Sequence, residues 1–259
     1  MDATSPVARF YDRLAADYHL IYGDWESALA RQGAALDAVI RSALGPSPAT
    51  VLDCACGIGT QALGLALRGH RVTGTDLSPV AAERAAREAA RRGLTVPTRA
   101  ADMRELPFDD GSFDVVVCAD NALPHLLTAA DVRTALSEMR RVLRAGGLLL
   151  VSTRPYDEIR RSHPVSTAPQ LHGSGSERTV TFQLWEWHED GERYDLEHFQ
   201  LHPEGSGWTT KARRTTYWAL TRAQLTDLAT ESGLESPTWL APEDSAFFQP
   251  LLTARAPRP

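Results

Sequence analysis

The chain has 259 residues, a formal net charge of -6 at pH 7, 43% hydrophobic residues and 23% charged residues. These proportions are ordinary for a globular protein, and no apolar run approaches the ~20 residues that cross a bilayer. The acidic balance argues against a general nucleic-acid binder, because affinity for phosphate needs clustered basic groups. The first ten residues show no leader-like pattern. We therefore expect a cytoplasmic protein with neither membrane nor nucleic-acid partners.

The first predicted element is a helical, aromatic-rich segment over residues 7–43, which ends in an Ala-rich amphipathic stretch. A Gly-Pro-Ser-Pro hinge follows at residues 45–48. We predict that residues 1–48 form an N-terminal helical cap.

Short apolar runs alternate with helical stretches between residues 51 and 153. Strands that alternate with helices predict a parallel sheet with helices on both faces. The helix that begins at Pro79 is well marked, because Ser78 is a suitable N-cap and Gly93 follows its end. The prediction for residues 49–154 is an α/β core, a Rossmann-like doubly wound sheet.

The periodicity changes after Thr153. A loop rich in Pro, Ser and Gly over residues 155–176 leads into three alternating runs, with Asp190-Gly191 as a hairpin turn between the first two. We predict an inserted antiparallel β meander over residues 155–219. One helix and one strand within residues 220–259 should complete the core.

A glycine loop lies between the first core strand and its helix, over Asp53 to Thr60. Gly57 and Gly59 lack a Cβ, so the backbone can turn sharply and approach a ligand closely. Asp76 ends the next strand, where a carboxylate can accept hydrogen bonds from both hydroxyls of an adenosine ribose. The combination predicts a site for an adenosine-containing ligand.

Asp53 helps to separate two classes of ligand that share this geometry. A dinucleotide loop presents helix-start amides to a pyrophosphate, which an added carboxylate would repel. S-adenosylmethionine has no phosphate and carries a cationic sulfonium and an amino group. Asp53 either offsets that charge or only caps local backbone amides. Both alternatives favour S-adenosylmethionine over a nicotinamide dinucleotide.

The glycine loop D-x-A-C-G-x-G-T, the Ala-Asp-Met run at 101–103 and the strand FDVVVCAD resemble those of class I S-adenosylmethionine-dependent methyltransferases. The resemblance implies that Asp102 and Met103 contact the adenine. It also implies that the backbone at Ala55 and Ala119 lies near the amino-acid portion of the cofactor.

A narrower similarity is to the glycine and sarcosine N-methyltransferases. It rests on the aromatic cap, on Asp120-Asn121-x-x-x-His125, on Thr153-Arg154-Pro155-Tyr156-Asp157 and on Thr216-Tyr217. The resemblance implies that Tyr22 and Arg31 close on the methionine end of the cofactor. The residues expected to bind the cofactor are Tyr22, Arg31, Asp53, Ala55, Gly57, Gly59, Asp76, Leu77, Asp102, Met103 and Ala119.

The expected catalytic residues are Tyr22, Asn121, His125 and Arg154, and no metal is expected. The resemblance implies that Asn121 lies near the acceptor amine and that Arg154 grips a substrate carboxylate through two charge-assisted hydrogen bonds. An ion pair between Arg154 and Asp157 is the structural alternative. We assign His125 a positioning role, because bulk solvent can deprotonate an amine before an in-line displacement.

The predicted function is methyl transfer to a small-molecule acceptor, most simply a small amine or amino acid. One alternative is an O- or C-methyltransferase of natural products, which would need His125 as a base. A second is a non-catalytic protein that only binds S-adenosylmethionine. The aromatic meander can form walls of the site or contacts between subunits, which leaves a homo-oligomer open.

Overall fold

The computed structural model describes residues 5–173 and 178–258. The end of the loop predicted over residues 155–176, at residues 174–176, lies outside those ranges. The helices are α1 (Pro6–Leu14), α2 (Trp25–Leu44), α3 (Thr60–Ala66), α4 (Pro79–Arg91), α5 (Ala129–Val142), α6 (Tyr156–Ser162), α7 (Arg222–Glu231) and α8 (Pro242–Ser245), with 3-10 turns at Tyr18–Ile21 and Leu123–His125. The strands are β1 (Thr50–Asp53), β2 (Arg71–Asp76), β3 (Thr98–Ala100), β4 (Phe113–Cys118), β5 (Leu143–Ser152), β6 (Gln170–His172), β7 (Thr179–Trp187), β8 (Arg193–Glu204), β9 (Gly207–Trp218), β10 (Glu235–Leu240) and β11 (Leu251–Arg255).

Seven strands form the main sheet, in the order β10-β11-β5-β4-β1-β2-β3. The five strands from β5 to β3 are parallel, and β11 pairs antiparallel with both β5 and β10. The strand order reverses between β1 and β4, the position at which open α/β sheets bind ligands beyond the carboxyl ends of their strands. The predicted Rossmann-like class is confirmed.

Strand β4 shows why this sheet is covered on both faces. Val115, Val116 and Val117 are fully buried, although consecutive side chains point to opposite faces of the sheet. Val116 packs with residues of α5 and α7, whereas Val115 and Val117 pack with residues of α2 and α3. None of the helices in the described ranges is long and apolar enough to cross a membrane.

Helix α4 begins as its sequence predicts. The Ser78 hydroxyl accepts a hydrogen bond from the Ala81 N–H at 3.0 Å, and Pro79 occupies the first turn, where no N–H is needed. This cap directly follows Asp76, so the start of α4 fixes the backbone beside the expected ribose site.

The meander is a separate antiparallel sheet in the order β6-β7-β8-β9. The turn at Asp190-Gly191 joins β7 to β8 as predicted, and Gly191 has the positive φ that the turn requires. The segment 155–176 is not a continuous loop, because it contains α6 and β6. Likewise, two strands rather than one complete the core, since β10 precedes β11.

Candidate active site

The glycine loop and Asp76 form one wall of a cavity at the carboxyl ends of the parallel strands. Gly57 has a φ of +51°, and its N–H donates to Asp76 Oδ2 at 2.8 Å. The Ser78 N–H donates to Asp76 Oδ1 at 2.8 Å. A Cβ on Gly57 would lie 3.2 Å from the Tyr18 ring, which closes the loop from the opposite side. Only glycine combines this backbone angle with this close approach.

This first cavity has a volume of about 270 Å³. The glycine loop, the ends of β2, β3 and β4, and the N-terminal helical segment enclose it. Burial raises the pKa of the Asp76 carboxyl to about 6, although two backbone hydrogen bonds act in the opposite direction. The expected cofactor-binding residues that line it are Tyr22, Ala55, Gly57, Asp76, Leu77, Asp102, Met103 and Ala119.

Three expected cofactor-binding residues, Arg31, Gly59 and Asp53, do not line this cavity. Arg31 lies on the exposed side of α2, because its position in the helix turns it away from the buried face that packs on α3. Gly59 caps α3 with a φ of +100°, and a Cβ there would lie 3.0 Å from Leu63. The structure therefore gives Gly59 a backbone role and does not bring Arg31 to the site.

Asp53 lies behind the loop and is fully buried. Its Oδ1 accepts a hydrogen bond from the Ala55 N–H at 3.4 Å, whereas Oδ2 has no partner among the described residues. Burial raises the pKa of this carboxyl to about 7. The contact with Ala55 matches the alternative in which Asp53 caps local amides.

Asp102 is held by a partner that the motif did not indicate. Arg104 binds its carboxylate through Nη2 at 2.7 Å and through Nε at 3.1 Å, and contacts Asp131 through Nη1 at 2.8 Å. Burial acts to raise the pKa of the Asp102 carboxyl, but the hydrogen bonds from Arg104 outweigh it and hold the pKa below its ordinary value. Asp102 is therefore a fixed, ionised acceptor at the cavity edge.

A second cavity of about 220 Å³ adjoins the first. Tyr11, Tyr18 and Asp120 line both cavities. Asn121 and Arg154, the two residues expected to contact the acceptor, line the second cavity and not the first. The structure thus separates the expected cofactor residues from the expected acceptor residues, with a shared boundary between them.

The turn after β4 has an uncommon backbone. Asp120 and Asn121 have φ values of +55° and +65°, a region that residues other than glycine seldom occupy. The Asp120 N–H donates to Ser152 Oγ at 2.8 Å, and the Asn121 N–H donates to the Ser152 carbonyl at 3.2 Å. The Ser152 hydroxyl in turn donates to Gln249 Oε1 at 2.8 Å. Strain of this kind is concentrated at functional sites.

Asn121 links this turn to the end of β5. Its Oδ1 accepts a hydrogen bond from the Arg154 N–H at 3.1 Å. Its Nδ2 is buried and has no partner among the described residues. A buried amide donor without a partner destabilises the fold. A ligand that accepts a hydrogen bond from this N–H₂ group would remove that penalty.

The Arg154 guanidinium lies in an aromatic enclosure. Nη1 donates to the Tyr194 hydroxyl at 3.0 Å, and the guanidinium carbon lies 5.0 Å from the Trp185 ring centroid and 5.2 Å from that of Tyr217. Within the described ranges no carboxylate forms an ion pair with it. Asp157 instead binds Arg222 at 2.9 Å, so the alternative pair between Arg154 and Asp157 is not formed.

His125 lies at the boundary of the first cavity, where its Nε2 hydrogen bonds to the Tyr11 hydroxyl at 2.7 Å. Its ring packs on Tyr217, with centroids 4.1 Å apart. Burial, assisted by the charge of Arg154, lowers the pKa of His125 to about 3. A neutral imidazole of such low basicity fits a positioning role better than that of a base.

Tyr22 lies beside the glycine loop and makes a contact that the sequence did not indicate. Its hydroxyl donates to Asp120 Oδ2 at 2.9 Å and accepts from Thr60 Oγ1 at 3.4 Å. Sequence reasoning quoted Asp120 only as part of a motif and did not assign it a role. Its position directly after a buried strand was the available signal. Tyr11 carried no comparable signal beyond its aromatic neighbours.

Of the meander aromatics proposed as walls, Tyr217 lines the second cavity and Trp185 covers Arg154. Trp208 is exposed on β9, so it is not part of either wall. His198 on β8 is a further lining residue that the sequence did not indicate, and its Nε2 has no partner among the described residues.

Comparisons with known proteins agree with this geometry. Residues 51–147 match the family described as a methyltransferase domain. A glycine/sarcosine N-methyltransferase from Parasynechococcus marenigrum is 36% identical over 137 residues, which are 52% of this chain and 48% of that protein. The chain thus spans about half the length of this curated relative.

Two solved structures share the fold over most of their length. DesVI of Streptomyces venezuelae superposes with a TM-score of 0.78 at 19% identity, over 93% of this chain and 98% of that one. An amino pentose methyltransferase from Micromonospora echinaspora, with S-adenosylmethionine bound, gives 0.72 at 21% identity, over 88% and 91% of the two chains. The match identifies residues 51–147 as a methyltransferase domain, and the strand order and the cavity at the glycine loop agree with the S-adenosylmethionine-dependent class I of that fold.

Proposed function

We propose that this protein transfers a methyl group from S-adenosylmethionine to the nitrogen of a small amine that carries a carboxylate, such as glycine or sarcosine. The observation that carries the proposal is Arg154, a cation in the second cavity with no carboxylate partner among the described residues. Its neighbours are aromatic rings and neutral hydrogen-bonding groups.

The first cavity fits the cofactor of this class. The Gly57 backbone leaves space that a Cβ would narrow, and each Asp76 oxygen accepts one backbone hydrogen bond and retains capacity for a ribose hydroxyl. Asp102 and Met103 line the same cavity, and adenine would contact them there. When bound, S-adenosylmethionine supplies an activated methyl group on a sulfonium centre.

The residues at the boundary would orient the acceptor. Tyr11, Tyr18 and Asp120 border both cavities, so an acceptor nitrogen near them would face the methyl donor. A carboxylate of that acceptor would reach Arg154, whose planar fork can form two charge-assisted hydrogen bonds. The unpaired N–H₂ group of Asn121 would then donate a hydrogen bond to the substrate. Fixing two reactants in this way supplies much of the catalysis of an in-line displacement.

The names of two similar proteins support an amine as the acceptor. The curated relative is described as a glycine/sarcosine N-methyltransferase, and one structural neighbour as an amino pentose methyltransferase. The amino pentose lacks the carboxylate that we propose for this chain, so Arg154 is the feature on which the choice depends. The lowered pKa of His125 disfavours the alternative of a phenol or enol acceptor that needs a base.

The test compares sarcosine with dimethylamine, the same amine without its carboxylate. We expect wild type to prefer sarcosine strongly. Arg154→Ala should lose about 2–5 kcal/mol in kcat/KM for sarcosine, roughly 30-fold to several-thousand-fold, with little change for dimethylamine. Arg154→Lys should recover only part of that loss, because an ammonium lacks the planar fork.

Arg133→Ala is the matched control, because Arg133 lines neither cavity and forms an exposed ion pair with Glu231 of α7. It should keep wild-type rates, and both variants should bind S-adenosylmethionine in calorimetry. Equal use of the two amines by wild type would contradict a carboxylate-binding Arg154. Tight cofactor binding without transfer to any small amine would favour the non-catalytic binder.

A further inference from the structure

Asp120 is the one carboxylate of the two cavities that the described residues leave without a cationic partner or a second hydrogen bond. Four carboxylates line the cavities. Asp76 accepts two backbone N–H groups, and Asp102 and Asp131 both bind Arg104. Asp120 receives a hydrogen bond only from Tyr22, and this bond engages Oδ2. Oδ1 is thus available to a ligand.

Asp120 also lies at the boundary between the two cavities. It borders both cavities, whereas the neighbouring Asn121 borders only the second. Both residues have a left-handed backbone, and Ser152 holds this turn through hydrogen bonds to both N–H groups. Residues other than glycine are strained at positive φ, and such strain persists only where the surrounding structure holds it. The chain therefore maintains a strained turn that presents a carboxylate between the two cavities.

The groups that face Asp120 come from four directions. They are Tyr11 of α1, Tyr18 of the N-terminal 3-10 turn with Tyr22 just after it, Tyr217 of β9 and Arg154 after β5. Arg154 is the only cation among them, and it lies beyond 4 Å. Burial raises the pKa of each of the four phenols, so they remain neutral. Burial also raises the pKa of Asp120, which makes it a stronger base than an exposed carboxylate.

We propose that Asp120 Oδ1 binds the ammonium group of the acceptor and takes one of its protons, so that the chain deprotonates its own substrate. This proposal rests on the amine acceptor proposed above. The ammonium N–H bond breaks and the proton passes to Oδ1. The freed nitrogen lone pair forms the new bond to the methyl carbon as the carbon–sulfur bond breaks, and that electron pair stays on sulfur. The carboxyl then releases its proton to solvent.

This assignment also accounts for the charge pattern of the second cavity. A zwitterionic acceptor would place its ammonium at Asp120 and its carboxylate at Arg154. The two protein charges then flank a net neutral ligand, with the Asn121 amide between them as a hydrogen-bond donor. The neutral His125 is not needed as a base in this scheme, in agreement with its lowered pKa.

The experiment is the pH dependence of kcat/KM for sarcosine between pH 7 and 9. A secondary ammonium ion has a pKa near that of lysine, about 10, so its neutral fraction rises about tenfold per pH unit in this range. If Asp120 takes the proton, wild type reacts with the abundant ammonium form and its profile is nearly flat. The Asp120→Asn variant can react only with the free amine form of the substrate. It should lose about 100-fold or more at pH 7 and regain about tenfold per pH unit.

Asp227→Asn is the matched control, because Asp227 is an exposed carboxylate on α7. It should keep the wild-type rate and the flat profile. A readout independent of turnover is calorimetry of sarcosine with S-adenosylhomocysteine bound. Affinity should fall in Asp120→Asn and should be unchanged in Asp227→Asn.

The pH profile of the wild-type enzyme is sufficient by itself to contradict the proposal. If its kcat/KM for sarcosine rises tenfold per pH unit, solvent supplies the free amine and Asp120 is not the base, even if Asp120→Asn fails to fold. An Asp120→Asn variant with wild-type rate and profile would overturn it as well. Wild type that methylates none of glycine, sarcosine and dimethylamine would instead contradict the proposed function itself.

Discussion

Replacing His125 with glutamine should change how stability depends on pH. His125 is buried between Tyr11 and Tyr217, and burial lowers the pKa of its imidazole to about 3 from an ordinary 6.5. Below pH 6.5 the unfolded chain binds a proton at this position that the folded chain does not bind. Folded-state stability from this group is therefore lost as the pH falls from 6.5 toward 3.

The size of the effect follows from these two values. At pH 5 the unfolded state gains about 2 kcal/mol from protonating one histidine with a pKa of 6.5, whereas at pH 7 it gains only a few tenths. Burial raises the pKa of Asp53 to about 7 and of Asp76 to about 6, and this acts in the opposite direction, because the folded state then binds protons better. The two aspartates remain in the variant, so their contribution cancels when it is compared with wild type.

Urea unfolding of wild type and His125→Gln at pH 7 and pH 5 measures the difference directly. The variant should be less stable than wild type at pH 7, since it loses packing and a partner for Tyr11. That deficit should shrink by about 2 kcal/mol at pH 5. The same substitution at the exposed His163 provides the control and should leave the difference unchanged with pH. A deficit of equal size at both pH values for His125→Gln would refute the argument.

Two further substitutions test the glycine positions. Gly57→Val should abolish binding of S-adenosylmethionine in calorimetry without loss of helical circular dichroism, because the side chain would meet Tyr18 at a backbone angle suited to glycine; wild-type affinity would show that the loop is not the cofactor site. Gly64→Ala should lower the free energy of unfolding by about 1–3 kcal/mol or more, since its Cβ would lie 2.8 Å from Gly33 Cα. Gly23→Ala, whose nearest contact is 3.7 Å away, should change stability little.

The features that the sequence predicted well depend on neighbours in the chain. The cap of α4 needs only Ser78 and Pro79, and the hairpin at Asp190-Gly191 needs only its own turn. The carboxyl-end position of Asp76 follows equally from the strand that it ends. Local rules suffice for such features.

The features that the sequence did not predict depend on long-range packing. Strand β10 lies at the edge of the sheet, contains Pro237 and has a register shift against β11, so it lacks the pattern of a buried strand. The exposed position of Arg31 depends on how α2 is rotated against α3. The conformation of the Asp120 turn depends on Ser152 and Gln249, which lie far from it in the chain.

The link from Ser152 to Gln249 has a consequence for synthesis of the chain. Ser152 holds the Asp120 turn, and Gln249 accepts the hydrogen bond of the Ser152 hydroxyl from just before β11. During translation, the glycine loop and β4 leave the ribosome well before residue 249. A nascent chain can therefore form the glycine-loop wall of the first cavity early, but the Asp120 turn lacks the support of Gln249 until the segment before β11 has reached β5.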